Sequence, residues 1–299
     1  MSETLPATHI PAERRADAVP LPPALHHFRV ERELSRGGMG AVYLGHDTSL
    51  DRPVALKVIL PELARTPGFR ERFLREARAQ ARVTHSNVVQ VFYVGEAAGT
   101  LYMVMELVDG GSLAELRAPL DWTQALTHMH GLALGLREAT RLGIVHRDIK
   151  PSNVLLDRFG LAHLADFGLA APVRSQEEAA SGLPAAGPAT SGVLPSFTMA
   201  GEIMGTPPYM SPEQARGQPL DARADIYSLG ASFYELLTGR LPNEARSLAE
   251  LHGFFDGPAP APLEQLRPDL PRRFTRVIDR CMARGTDARF ATWDEVLTA

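Results

Sequence analysis

The chain has 299 residues, 44% hydrophobic and 22% charged, a balance that suits a soluble globular protein with room for one large domain or two lobes. A formal net charge of -4 argues against bulk binding to nucleic acid or to an anionic membrane surface. A single cysteine, Cys281, excludes an intrachain disulfide and fits a buried thiol in a reducing compartment.

Residues 1–26 are rich in Pro and Ala and read as a flexible tail, with no basic stretch leading into an apolar core as a secretion signal would have. From 28 to 60 the pattern is strand, glycine turn, strand, turn, strand: residues 28–34 and 41–46 alternate, and 53–60 is a short apolar run. The spacing then predicts a helix over 68–83, with Phe69, Phe73, Leu74 and Ala77 on one side and arginines on the other. Two more strands are expected, over 88–94 and 101–107, before Asp109-Gly110-Gly111-Ser112 breaks the pattern.

Helices dominate the remainder and are clearest over 122–142 and 224–237, with two loop-and-strand motifs, 144–156 and 161–170, between them. Residues 171–200 are Ala, Pro, Ser and Gly with almost no large side chains and read as a flexible insertion. The last residues, 292–299, stop inside a helical pattern, so a longer parent carrying a membrane anchor or further domains is an open expectation. No run of about 18 apolar residues occurs, so no membrane segment is expected in this chain. A strand-rich first third and a helical remainder predict an α+β chain of two unequal lobes, 27–107 and 108–299, joined near 106–111 into one domain.

The run LSRGGMGAVY at 34–43 sets Gly37 and Gly40 between two strands. By itself it fits a tight hairpin as well as a flap whose glycine backbone can approach phosphates. A dinucleotide loop would need a helix after the glycines, and Ala41-Val42-Tyr43-Leu44 reads as strand. Lys57, inside the apolar run Val54-Ala55-Leu56-Lys57, is either an edge residue reaching water or a cation aimed at phosphates. In the second case Glu76, on the following helix, is placed to hold it.

The strongest signal is His146-Arg147-Asp148-Ile149-Lys150-Pro151-Ser152-Asn153. Asp148 can accept or orient a hydroxyl proton, Lys150 can neutralise charge on a moving phosphoryl group, and Asn153 offers an oxygen to Mg2+. Asp166-Phe167-Gly168 adds a second hard oxygen ligand beside a glycine. His128 and His130 have no evident metal-ligand partners and read as surface or packing residues.

On these residues the chain, from Phe28 to its end, resembles the eukaryotic-type (Hanks-type) Ser/Thr protein kinases, bacterial branch. The resemblance implies a two-lobed kinase fold, with ATP and Mg2+ as cofactors, Mn2+ as a substitute, and proteins as substrates. It implies transfer of the γ-phosphoryl group to Ser or Thr, the tyrosine-specific members differing at Lys150 and Thr206. Ser35, Gly37 and Gly40 would form the phosphate loop, and Lys57 would pair with the phosphates and with Glu76. Val42, Ala55 and Leu155 would sandwich adenine, with Met105 as gatekeeper and Glu106 and Val108 on the hinge. Asp148 would be the catalytic base, Lys150 a phosphate contact, and Asn153 and Asp166 the metal ligands. Glu213 would pair with Arg289, and Asp225 would brace the catalytic loop. Location in the cytoplasm and pairing of small lobes into a homodimer are expectations of the same kind, with no nucleic-acid partner. The alternative on the same fold is a pseudokinase acting as a nucleotide-binding scaffold. A small-molecule phosphotransferase fits less well, because the 205–213 stretch resembles a peptide platform.

Three departures qualify the resemblance. Ser35 stands where the first loop glycine is usual; an extended backbone would accept serine without strain, whereas a left-handed one costs roughly 1–2 kcal/mol. Gln80 stands one turn after Glu76, where relatives carry leucine in a stack with Phe167 and His146; its amide either reaches solvent or weakens that stack. The segment between Asp166 and Glu213 is long, and Arg147 marks the type whose loop is ordered by phosphorylation. Autophosphorylation is expected among Thr198, Ser196, Ser191 and Thr190.

Overall fold

Strand pairing starts earlier than the composition of the tail predicts. The computed structural model describes residues 24–167 and 207–299. Its first strand, β1 (Ala24–Leu25), pairs antiparallel with β2 (Phe28–Gly37), and Leu25 is fully buried beside Phe28. The boundary of the tail at residue 26 is therefore corrected: one large apolar side chain at 25 is enough to draw the segment onto the sheet.

The small lobe is an antiparallel sheet in the order β1-β2-β3-β4-β6-β5, with β3 Gly40–Asp47, β4 Arg52–Ile59, β5 Val91–Ala97 and β6 Thr100–Met105. The strand expected to begin at 88 begins at Val91; Val88 instead bridges in parallel to Leu164. Side chains alternate across β4, as a period of two requires. Val54, Leu56 and Val58 enter one apolar cluster with Phe28, Tyr43 and Tyr102, while Ala55 and Ile59 enter a second.

Helix α1 (Pro61–Ala64) is a single turn. Helix α2 (Phe69–Ala81) lays Phe69, Phe73 and Ala77 into the second cluster, with Leu74 half-buried. The same face carries two buried polar residues, Glu76 and Gln80, that the apolar spacing alone does not flag.

After β6 a non-helical stretch leads to the large lobe. Its axis is α3 (Trp122–Arg141), N-capped by Asp121, whose carboxylate accepts the Thr123 N–H at 2.9 Å. Ala125, Met129, Leu132, Leu136 and Ala139 recur at helical spacing and are buried. A two-stranded ribbon, β7 (Val154–Leu156) with β8 (Ala162–Leu164), follows. The second described stretch opens with α4 (Pro212–Ala215) and α5 (Ala222–Thr238), the latter buried on nearly every side and ended by Gly239 at φ 67°. Helices α6 (Leu248–Asp256), α7 (Leu263–Leu266), α8 (Arg272–Cys281) and α9 (Trp293–Thr298) complete the lobe. The architecture is thus the expected α+β fold, a β-rich small lobe and a mainly helical large one. Among the described residues no helix is long and apolar enough to cross a membrane.

Candidate active site

The glycine turn is the hairpin between β2 and β3, closed by the pair Gly37↔Gly40. Ser35 lies within β2 opposite Val42 and does not have positive φ, so the missing first glycine carries no backbone strain. Gly40 is different. A Cβ there would lie 1.9 Å from the carbonyl oxygen of Val58 on β4, and φ is 156°. Gly40→Ala must therefore push β3 away from β4, and we expect nucleotide KM to rise about tenfold or more, read by ATP titration, with a thermal loss of about 1–3 kcal/mol.

Beneath the hairpin, Val42 pairs with Lys57 and Ala55 with Met105. Ala55 and Met105 are buried in the second apolar cluster, and Val42, Val108 and Leu155 pack against it from β3, the hinge and β7. The residues expected around adenine, drawn from four separate segments, thus share one apolar surface. The hinge beyond it keeps a polar edge. The Glu106 N–H donates to the Gln90 carbonyl at 2.9 Å, but among the described residues neither the Glu106 carbonyl nor the Val108 N–H has a partner. One acceptor and one donor, two residues apart beside an apolar slot, match the edge of a purine.

Lys57 lies on β4, an interior strand, so the edge reading of that lysine does not hold. Its ammonium reaches Asp166 Oδ1 at 2.6 Å. The expected pair with Glu76 is not formed, a correction to the sequence reading. Glu76 is buried on α2, and among the described residues its Oε1 has no hydrogen-bond partner. Burial raises its carboxyl to about 7, against the pull of Arg72, Arg75, Arg147 and Lys57. Burial acts the same way on Asp166, but the Lys57 ammonium together with His146 and Lys150 outweighs it, and the Asp166 carboxyl ends below its usual range. The lysine has one cation to share, and the closer, hydrogen-bonded carboxylate holds it.

Gln80 is also corrected: it does not reach solvent. It is buried, and its amide donates to the Val89 carbonyl at 3.4 Å, a long bond that satisfies the group only weakly. His146 and Phe167, the other members of that stack, lie with ring centroids 4.5 Å apart.

The catalytic-loop motif is held by side chains from three directions. Asp225, near the start of α5, accepts the His146 N–H at 2.6 Å and the Arg147 N–H at 2.8 Å. Burial raises the Asp225 carboxyl to about 6, and those two N–H groups pull against it. His146 contacts the Ala165 carbonyl through Nε2 at 3.2 Å and accepts the Asp148 N–H at Nδ1 at 3.3 Å. A carbonyl only accepts, so the ring is the neutral Nε2–H tautomer, and burial lowers its pKa to about 4. Arg147 has φ 70°, a left-handed conformation that costs a non-glycine residue roughly 1–2 kcal/mol. Asp148 Oδ2 accepts from Lys150 Nζ at 2.8 Å and from Asn153 Nδ2 at 3.0 Å, and Asn153 Nδ2 also reaches the Asp148 carbonyl at 2.8 Å.

That last contact bears on a metal. Because the Asn153 nitrogen faces Asp148, its Oδ1 is turned to the other side, and Asp166 keeps Oδ2 beyond its bond to Lys57. Among the described residues no group of three or more His, Cys, Asp or Glu could hold a metal by itself. One amide oxygen and one carboxylate oxygen suit Mg2+, which takes few protein ligands and completes its shell with water and phosphate oxygens. His128 is buried on α3 and belongs to the packing, as expected.

Glu213 and Arg289, 76 positions apart, form a buried two-pronged pair at 2.6 and 2.9 Å. Gly168, Thr206 and the phosphorylation candidates Thr198, Ser196, Ser191 and Thr190 lie outside the described residues. One residue of the site went unread in the sequence: Gln214, whose Nε2 donates to the Arg147 carbonyl at 2.8 Å. Its only local signal is position, next to Glu213.

Comparison with known proteins gives a consistent result. The family pattern described as "Protein kinase domain" matches residues 28–298. The chain is 40% identical over 253 residues to the Serine/threonine-protein kinase pkn2 of Myxococcus xanthus, covering 82% of this chain and 28% of that protein. It is 36% identical over 273 residues to the probable serine/threonine-protein kinase SCO3848 of Streptomyces coelicolor, covering 88% and 38%. The chain therefore spans only about a third of the length of these relatives. Among solved structures, the PknI kinase domain of Mycobacterium tuberculosis superposes with a TM-score of 0.67 at 29% identity, covering 92% of this chain and 95% of that one.

Proposed function

Because this chain belongs to the protein kinase family, with serine/threonine-protein kinases of bacteria among its relatives, we propose that it transfers the γ-phosphoryl group of ATP to Ser and Thr hydroxyls of proteins. The observation that carries the reading is the constellation on one loop, Asp148 bonded to Lys150 and Asn153, with the Lys57–Asp166 pair close enough for the Lys150 charge to act on Asp166. Each group has a role in such a transfer. The apolar surface around Ala55 and Met105, with the hinge edge at Glu106 and Val108, orients the adenine. The Gly37 and Gly40 hairpin covers the phosphates, and Lys57 holds them once it exchanges Asp166 for nucleotide. Mg2+, or Mn2+ in its place, held by Asn153 and Asp166, would neutralise phosphate charge. Asp148 orients the acceptor hydroxyl and takes its proton, while Lys150 offsets charge on the transferred group. Glu76 would come into play by taking Lys57 in the nucleotide-bound form.

The same reading assigns the chain to the cytoplasm, where ATP is available, and includes pairing through small lobes. It also includes autophosphorylation between Asp166 and Glu213, at Thr198, Ser196, Ser191 or Thr190. The test is intact mass after incubation with Mg·ATP, starting from phosphatase-treated protein and with a generic Ser/Thr peptide present. Phosphate-sized increments on the chain or the peptide are expected. Their absence from both would replace the reading by a nucleotide-binding scaffold of the same fold.

A further inference from the structure

We propose that Gln214 is a positioning residue for phosphoryl transfer: its side-chain amide clamps the peptide plane that carries Asp148. The inference rests on the kinase reading above and adds to it a residue that acts through the backbone and not on the nucleotide.

The peptide between Arg147 and Asp148 is held at both edges. Its N–H donates to His146 Nδ1 at 3.3 Å, and its carbonyl accepts from Gln214 Nε2 at 2.8 Å. One bond earlier, the Arg147 N–H is fixed by Asp225 Oδ1 at 2.8 Å. Arg147 sits at φ 70°, away from the wells an arginine prefers, so the backbone stays there only while its surroundings hold it. Turning the 147–148 plane would swing the Asp148 carboxylate away from Lys150 and Asn153, which it meets at 2.8 and 3.0 Å. Asp225 and His146 govern the N–H side of this arrangement. Gln214 is the side-chain donor on the carbonyl side.

Two further observations single out that donor. The Arg147 carbonyl can only accept, which fixes the amide so that Nε2 faces the loop. The other end, Oε1, is enclosed and among the described residues has no hydrogen-bond partner. Gln214 as a whole is half-buried, and a side chain that encloses its amide oxygen without a partner is a poor packing element, where a leucine or methionine would fill the space better. Gln214 is also rigidly mounted. It lies in α4, capped by Ser211 Oγ at 3.3 Å from the Gln214 N–H, and its neighbour Glu213 is pinned by Arg289. The small cleft that Gln214 lines is shared with Asp148, Tyr209, Met210 and Ser228. Residues 207–217 and the catalytic loop are thereby connected: a shift of α4 is felt at the Asp148 peptide.

The experiment uses the whole chain and three proteins: wild type, Gln214→Met, which keeps length and removes the donor, and Gln214→Lys, which restores a donor on a flexible chain one atom longer, from a half-buried position. With a generic Ser/Thr peptide, Gln214→Met should lower kcat about thirtyfold through misplacement of the loop, with KM for ATP within about twofold. Gln214→Lys should return kcat to within about fivefold of wild type. Hydrogen exchange followed by mass spectrometry should show faster exchange over 146–148 in Gln214→Met, reversed in Gln214→Lys. Wild-type kcat and unchanged exchange in Gln214→Met would overturn the proposal. So would equal losses in both variants accompanied by a fall in melting temperature, which identify packing as the role. If wild type transfers no phosphoryl group, the kinase reading fails by itself, and the exchange rates alone decide whether the clamp exists.

Discussion

Asp148→Asn should lower kcat by about 10²- to 10⁴-fold, the span expected when a proton acceptor is removed from the reacting centre. The substitution is nearly isosteric, and an asparagine oxygen can still accept from Lys150 or from Asn153, which now share Oδ2 of the carboxylate. The loop should therefore keep its shape. Asp148 lies outside the apolar surface formed by Ala55, Met105 and their neighbours, so KM for ATP should change less than about threefold. What the variant loses is basicity and one negative charge beside Lys150. Steady-state kinetics with a Ser/Thr peptide, beside a thermal melt within about 2 °C of wild type, check both halves of the expectation. A kcat within threefold of wild type would remove Asp148 from its assigned role while leaving the nucleotide site intact.

The second large effect concerns stability. Arg289→Met should destabilise the protein by about 3–5 kcal/mol, because it leaves Glu213 charged, buried and alone. The guanidinium uses all of its donors. Nη1 bonds to Glu213 Oε1 and the Arg223 carbonyl, Nη2 to Glu213 Oε2 and the Arg284 carbonyl, and Nε to the Ala283 carbonyl. It also lies 5.0 Å from the centre of the Tyr227 ring. Arg289→Lys should be only partly corrective, since an ammonium cannot reproduce five donors in a planar fork. The melting temperature should fall by about 10 °C in Arg289→Met. It should recover in part when Glu213→Met is added, because the orphan charge is then gone. A melt within 2 °C of wild type for Arg289→Met would show that the pair is replaceable by packing alone.

The candidate site could be read in the sequence because its residues are packed into short runs. Asp148, Lys150 and Asn153 occupy one loop, and their mutual bonds span at most five positions. The glycine hairpin and β4 were legible for the same reason, since alternation and turn residues are local signals. What could not be read were choices between distant partners. Lys57 has two carboxylates within reach of its part of the fold, Glu76 at a separation of 19 positions and Asp166 at 109, and only tertiary packing decides which it meets. Gln80 shows a related limit: a glutamine at a helical position facing the core is indistinguishable by spacing from one facing water. Helices α6 to α8 lie where helices are expected to dominate, but their bounds are not legible, because four to ten residues give too few turns for a clear period.

The two-residue strand at the first described positions carries the folding unit back to residue 24 at least. The family pattern begins at residue 28, yet Leu25 is already inside the small-lobe core and paired with Phe28. A recombinant fragment started where the homology starts would lack that plug and expose the Tyr102 and Phe28 side of the sheet to water. The physical domain thus opens at or before residue 24, and any truncation, fusion joint or protease site placed between 24 and 28 cuts into its interior.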